Sequence, residues 1–174
     1  PYWVSYPQMV KLAGGEPVIV EAGFEQNFKM TAEQLEAAIT PKTRLLILCS
    51  PSNPTGSVYN KVELEALANV IKKHDDIFVL ADEIYEHINY IGRHESIAQF
   101  EGMKERAIIV NGVSKAYAMT GWRIGYIAAP EWLVKGCNKL QGQYTSGPCS
   151  VSQKAAEFAY VSSQQCVEDM RQAF

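Results

Sequence analysis

The sequence contains no long apolar run, which excludes a membrane-spanning helix built from about 20 consecutive apolar residues. It also lacks an excess of charge. Sixteen Lys and Arg against 19 Asp and Glu leave a net charge of −3, so nothing electrostatic points to nucleic acid or an anionic membrane. Cysteines are few and scattered: Cys49, Cys137, Cys149 and Cys166 have no metal-type spacing. No metal site is expected, Cys49 reads as a buried free thiol, and a reducing cytoplasm is the simplest setting. No glycine-rich Rossmann or phosphate-loop turn follows any strand-like segment, which counts against a nucleotide-binding module. With no repeat, low-complexity tract or linker, the 174 residues read as a single domain with its own core.

What is present alternates between short apolar runs and helical patterns. A helical stretch from Tyr6 to Ala13 meets a glycine stop at Gly14-Gly15. Pro17 to Glu21 reads as a strand. Thr31 and Gln34 have capping-box spacing ahead of a helix that stops before Pro41. Leu45 to Cys49, Ile77 to Ala81, Ala107 to Val110 and Ile124 to Ala128 read as strands, the first as one buried on both faces. Helices are expected over Val62 to Lys73, from Pro130 to about Leu140, and from Val151 onward. Such alternation argues for an α/β three-layer sandwich with a mainly parallel sheet and helices on both faces. Ligands in these folds bind at the carboxyl ends of the strands. Asn53, Asp82 and Lys115 all fall just after expected strands.

The densest signal is Asn111-Gly-Val-Ser-Lys-Ala-Tyr-Ala-Met-Thr-Gly-Trp-Arg-Ile-Gly125. Its lysine sits among small and aromatic residues, where lost hydration would favour a neutral, nucleophilic amine. A lone lysine would be a surface residue, but the surrounding pattern fixes most positions by type. Other candidates have ordinary readings too. Asp82 could cap a helical turn, Tyr85 could pack on the sheet, and Asn53 could form a plain Asn-Pro turn. Arg123 could form a surface ion pair, and Trp3 could be core or interface. His87 reads as a satisfied polar residue, and Glu83 as a surface or supporting group. His74 and His94 read as members of polar connections.

Taken together, Gly112-x-Ser-Lys-x-x-Ala-Met-x-Gly-x-Arg-Ile-Gly, Asp82-Glu-Ile-Tyr85 and Asn53-Pro-Thr-Gly resemble the motifs of the class I and II pyridoxal-phosphate-dependent aminotransferases. Pro1-Tyr-Trp-Val-Ser-Tyr-Pro and Asp-Glu-Ile-Tyr-Glu-His are especially similar to bacterial aspartate aminotransferases. The resemblance implies the large domain of a fold-type I enzyme with pyridoxal 5'-phosphate as cofactor. Lys115 would form the Schiff base with its aldehyde and shuttle the substrate proton. Asp82 would hold the pyridine nitrogen, while Tyr85 and Asn53 would bond the phenolic oxygen. Arg123 would grip the phosphate and Trp3 would stack on the ring, with Trp3 and Asn53 also meeting substrate. The Asn53–Pro54 bond is expected to be cis. Some relatives carry a serine where this chain has Gly112, so the full phosphate ligand set stays open.

The implied reaction transfers an amino group from an amino acid, typically aspartate, to 2-oxoglutarate, in a homodimer. The chain opens at Pro1 without an initiator methionine and stops at Phe174 within a helical pattern. An internal piece of a longer protein is therefore expected, lacking an N-terminal segment and a small domain that carries the substrate-carboxylate arginine. On its own, this piece is expected to have little activity. The same motifs also suit aromatic, alanine or prephenate aminotransferases, carbon–sulfur lyases, or a non-catalytic regulator that borrows the fold.

Overall fold

Four apolar runs become four strands in the computed structural model, which describes Pro1 to Phe174. They are β1 (Leu45–Cys49), β2 (Phe78–Asp82), β3 (Ala107–Gly112) and β4 (Gly125–Ala128), in the order β1-β2-β3-β4. β1 pairs parallel with β2, and β2 with β3. β4 instead runs antiparallel to β3, with Gly112 opposite Gly125. The reason lies in the connection. A parallel return needs a crossover, usually a full helix, whereas residues 113–124 offer only one 3-10 turn at Thr120–Trp122. The sheet is thus mixed, and the lysine-bearing stretch is the loop that reverses the chain.

Six α-helices accompany the sheet: α1 (Tyr6–Leu12), α2 (Ala32–Ala38), α3 (Lys61–Ile71), α4 (Glu131–Tyr144), α5 (Ser150–Val161) and α6 (Gln165–Ala173). Pro7 lies in the first turn of α1, and Gly14, at φ +79°, provides the left-handed exit beyond its C-cap. The expected capping box is formed, with Thr31 Oγ1 accepting from the Gln34 N–H and the Gln34 side chain accepting from the Thr31 N–H. Asn60 and Glu63 build a second box at the start of α3. No helix is long and apolar enough to cross a membrane.

Alternation along the strands sorts their side chains. Leu48, Val79, Ala81 and Ala107 are buried against α3, whose Leu64, Leu67, Ala68 and Ile71 are almost fully enclosed. Each such leucine or isoleucine contributes about 1.5–3 kcal/mol of burial free energy. The opposite face is covered more thinly. Phe78 meets the edge of Trp132 on α4 at 5.6 Å, but Trp132 itself is 63% exposed, and α4 buries no residue. The expectation that Leu45–Cys49 is buried on both faces is therefore corrected: of its five residues only Leu48 is buried.

Two other expectations fail. Pro17–Glu21 forms no strand, because no neighbouring strand offers it a ladder. The Glu21 carbonyl is taken instead by the Gln34 amide at 3.0 Å. The helix expected from Val151 onward breaks after Val161, where the Gln164 side chain donates to the carbonyls of Ala159 and Ser162 and so closes α5.

Candidate active site

Parallel β1, β2 and β3 end on one rim, and the hydrogen-bond ladder extends one residue past the strand ends. The Ser50 N–H donates to the Asp82 carbonyl at 3.2 Å, and the Glu83 N–H to the Val110 carbonyl at 2.9 Å. Asp82 thus sits centrally, opposite both Cys49 and Val110.

The loop after β1 is fixed from below. Buried Ser50 accepts from the Tyr59 N–H at 3.1 Å, and Gly56 adopts φ +71°. Asn53–Pro54 is cis as expected, and Ser50–Pro51 is cis as well. Asn53 and Pro54 line a cleft of about 340 Å³ whose other wall includes Tyr85 and Ile88. Tyr85 belongs to the turn after β2, and its ring lies beneath the Lys115 Nζ, 5.6 Å from the centroid. One aromatic side chain therefore joins the Asn53 cleft to the lysine.

Asp82 uses both carboxylate oxygens. Oδ1 accepts from the Ile84 N–H at 3.3 Å, so the turn-capping alternative is partly real. Oδ2 accepts from the Tyr6 hydroxyl at 2.6 Å, and Tyr6 meets the edge of Trp3 at 5.5 Å. Burial foremost, then the bond to Asp82, pushes the Tyr6 phenol far above its ordinary range, so it remains a donor. Cys49 is free and half-buried, and burial raises its thiol pKa. No cation pairs with Asp82.

The desolvated amine expected at Lys115 is not found. Within these residues Lys115 is exposed. Arg123 is exposed as well, at φ +56°, and its Nη1 donates to the Thr120 carbonyl at 2.9 Å. Thr120 Oγ1 in turn donates to the Ser114 carbonyl at 2.9 Å, which ties the arginine to the residue before the lysine. Gly112 leaves no room for the serine of other relatives: an added Cβ would lie 2.7 Å from the Ile124 carbonyl oxygen and 2.8 Å from the Gly125 Cα.

These residues fit pyridoxal phosphate. Lys115 offers an amine in no ion pair, Asp82 a half-buried carboxylate without a cation, and Arg123 guanidinium donors still open to a phosphate. Tyr6 is not identifiable from sequence alone. Its only signal is the three-residue spacing from Trp3, and nothing local reveals a contact 76 positions away.

Of the two alternatives read for Glu83, its burial excludes the surface one. Glu83 is buried and lies 3.0 Å from His94 Nε2, so His94, which does lie in a connection, is also the partner in a part-buried pair. Glu86 accepts from the Asn111 amide at 2.8 Å. Glu83, Glu86, His87, Arg93 and His94 border a wholly polar cleft of about 490 Å³ that includes none of the six candidate residues.

Comparison with known proteins bears on this geometry. The family model described as aminotransferase class I and II matches residues 1–174. The chain is 54% identical, over 90% of its length and 33% of the relative's, to a bifunctional aspartate aminotransferase and glutamate/aspartate-prephenate aminotransferase of Petunia hybrida. It is 53% identical to the aspartate aminotransferase of Geobacillus stearothermophilus, covering all of this chain and 44% of that one. The crystal structure of the aspartate aminotransferase from Rhizobium meliloti superposes with a TM-score of 0.97 at 44% identity, over 99% of this chain and 44% of its own. The chain thus spans between a third and a half of the length of these proteins. Matched from end to end by the family model, it belongs to the class I and II aminotransferases.

Proposed function

We propose that the protein is a pyridoxal-phosphate-dependent aminotransferase that moves an amino group from aspartate to 2-oxoglutarate. Residues 1–174 are then the core of its cofactor domain, working in a cytoplasmic homodimer with further segments beyond these residues. One observation carries this reading: Asn53, Asp82 and Lys115 leave consecutive parallel strands at one rim, with Tyr85 spanning the lysine and the Asn53 cleft. Four unpaired cysteines are consistent with the reducing compartment.

When bound, pyridoxal phosphate supplies an electron sink for the negative charge that develops at the substrate Cα. The chain's own residues do the rest. Lys115 would hold the cofactor through its amine and would serve as the base that moves the proton at the substrate Cα. Asp82 keeps the ring nitrogen protonated, since a carboxylate beside it favours the cationic form. Tyr85 and Asn53 would hold the phenolic oxygen, with Asn53 also near the substrate carboxylate. Arg123 would hold the phosphate and Trp3 would cover the ring face.

Incubation with pyridoxal phosphate, borohydride reduction and peptide mass spectrometry test this reading on the intact protein. A pyridoxyl group concentrated on Lys115 is expected, and labelling scattered over many lysines would sink it. A second acceptor, prephenate, is suggested by the name of the Petunia relative. Parallel assays with 2-oxoglutarate and prephenate separate the two.

A further inference from the structure

Asp82 occupies an unusual electrostatic position. It is a half-buried carboxylate at a strand end, yet the groups that reach it bring no positive charge. Tyr6 from α1 donates a hydroxyl, Cys49 from β1 lies opposite in register, and the Ile84 N–H closes the turn. Both titratable neighbours are held neutral by burial. Lys115 lies over the Tyr85 ring and forms no ion pair with Asp82. An arginine or lysine in place of Tyr6 would orient the carboxylate equally well but would cancel its charge. A phenol orients it and leaves the charge available.

Tyr6 also has a second contact. Its ring carries the edge of Trp3, three residues earlier, where Pro7 sets the helix start. We infer that Tyr6 is the positioning residue of the cofactor pocket: its hydroxyl orients the Asp82 carboxylate without bringing a cation to it, and its ring packs against Trp3. The group meant for the cofactor's nitrogen and the group meant for its face are then set by one side chain. This inference rests on the proposed cofactor role of Asp82.

The test uses the intact protein with Tyr6→Phe and Tyr6→His. Phe keeps the ring and loses the donor, whereas His loses the ring shape and keeps an N–H donor. Equilibrium retention of pyridoxal phosphate is measured together with the pH titration of its visible absorption. Loss of a hydrogen bond to a charged group predicts about tenfold weaker retention in Tyr6→Phe, with a displaced titration midpoint. Tyr6→His should recover part of both. A role in packing alone predicts the reverse order, with Phe near normal and His impaired, and that order would overturn the inference. So would a Tyr6→Phe protein with unchanged retention and midpoint, provided the unsubstituted protein labels at Lys115. Failure of that labelling would instead remove the cofactor reading on which the inference stands.

Discussion

Asp82 and Glu83 are adjacent carboxylates with opposite surroundings. Asp82 belongs to the rim, where its partners are neutral and the nearby lysine and arginine are exposed. Glu83 turns into the polar cleft, where it is buried and matched by His94 at 3.0 Å. The alternation of a strand puts successive side chains on opposite sides, so one step along the chain separates a charge kept available from a charge already satisfied. The same contrast holds on a larger scale. The α3 side of the sheet is closed and apolar, while Asp82, Lys115 and Arg123 at the rim form no ion pairs.

The largest test of that contrast is Lys115→Ala in the intact protein. Turnover should fall by about 10²–10⁴-fold, the usual worth of a positioned acid–base group, with the melting temperature unchanged. The mirror experiment is Leu67→Ala on the closed side. It should cost about 2–5 kcal/mol in denaturant unfolding, whereas Leu140→Ala on exposed α4 should stay within about 0.5 kcal/mol. The adjacent pair sharpens the comparison. With Asp82 in its proposed role, Asp82→Asn should lower turnover by about 10²-fold with little change in stability, since it removes a charge meant for the cofactor. Glu83→Gln should do the opposite, lowering stability by about 1–3 kcal/mol because Glu83 is buried and pairs with His94.

The smallest effect concerns pH. Burial raises the Tyr59 phenol from 10.0 to about 12, while its oxygen accepts from the Met30 N–H. A raised acid pKa favours the protonated folded form, so this contribution is complete below pH 10 and is lost as pH rises toward about 12. Unfolding followed between those values should show a decline that Tyr59→Phe reduces.

The strands are readable in the sequence because continuous apolar runs end at turn residues, as at Leu45–Cys49 before Ser50-Pro-Ser-Asn. The Thr31 capping box is readable because both partners lie within one turn. Features that depend on distant chain are not. Val18 and Ile19 have strand-like side chains but no edge to join, and they remain exposed. The direction of β4 depends on the lack of a long crossover helix in 113–124, which an apolar run by itself does not reveal. His94 and Tyr6 look ordinary locally, and each takes its meaning from a carboxylate elsewhere in the chain. The exposure of Lys115 escapes the sequence for a related reason. Small neighbours along the chain suggest enclosure, but enclosure depends on what packs above the rim.

The Gly112–Gly125 pairing has a mechanical consequence. It closes the loop 113–124 at its base, where the two backbones lie too near for any side chain between them. Lys115 and Arg123 therefore ride on one stapled ring, and the Ser114–Thr120–Arg123 bonds brace that ring from within. The amine and the guanidinium thus share a single anchor at the base of the loop, and any displacement of that base would carry both.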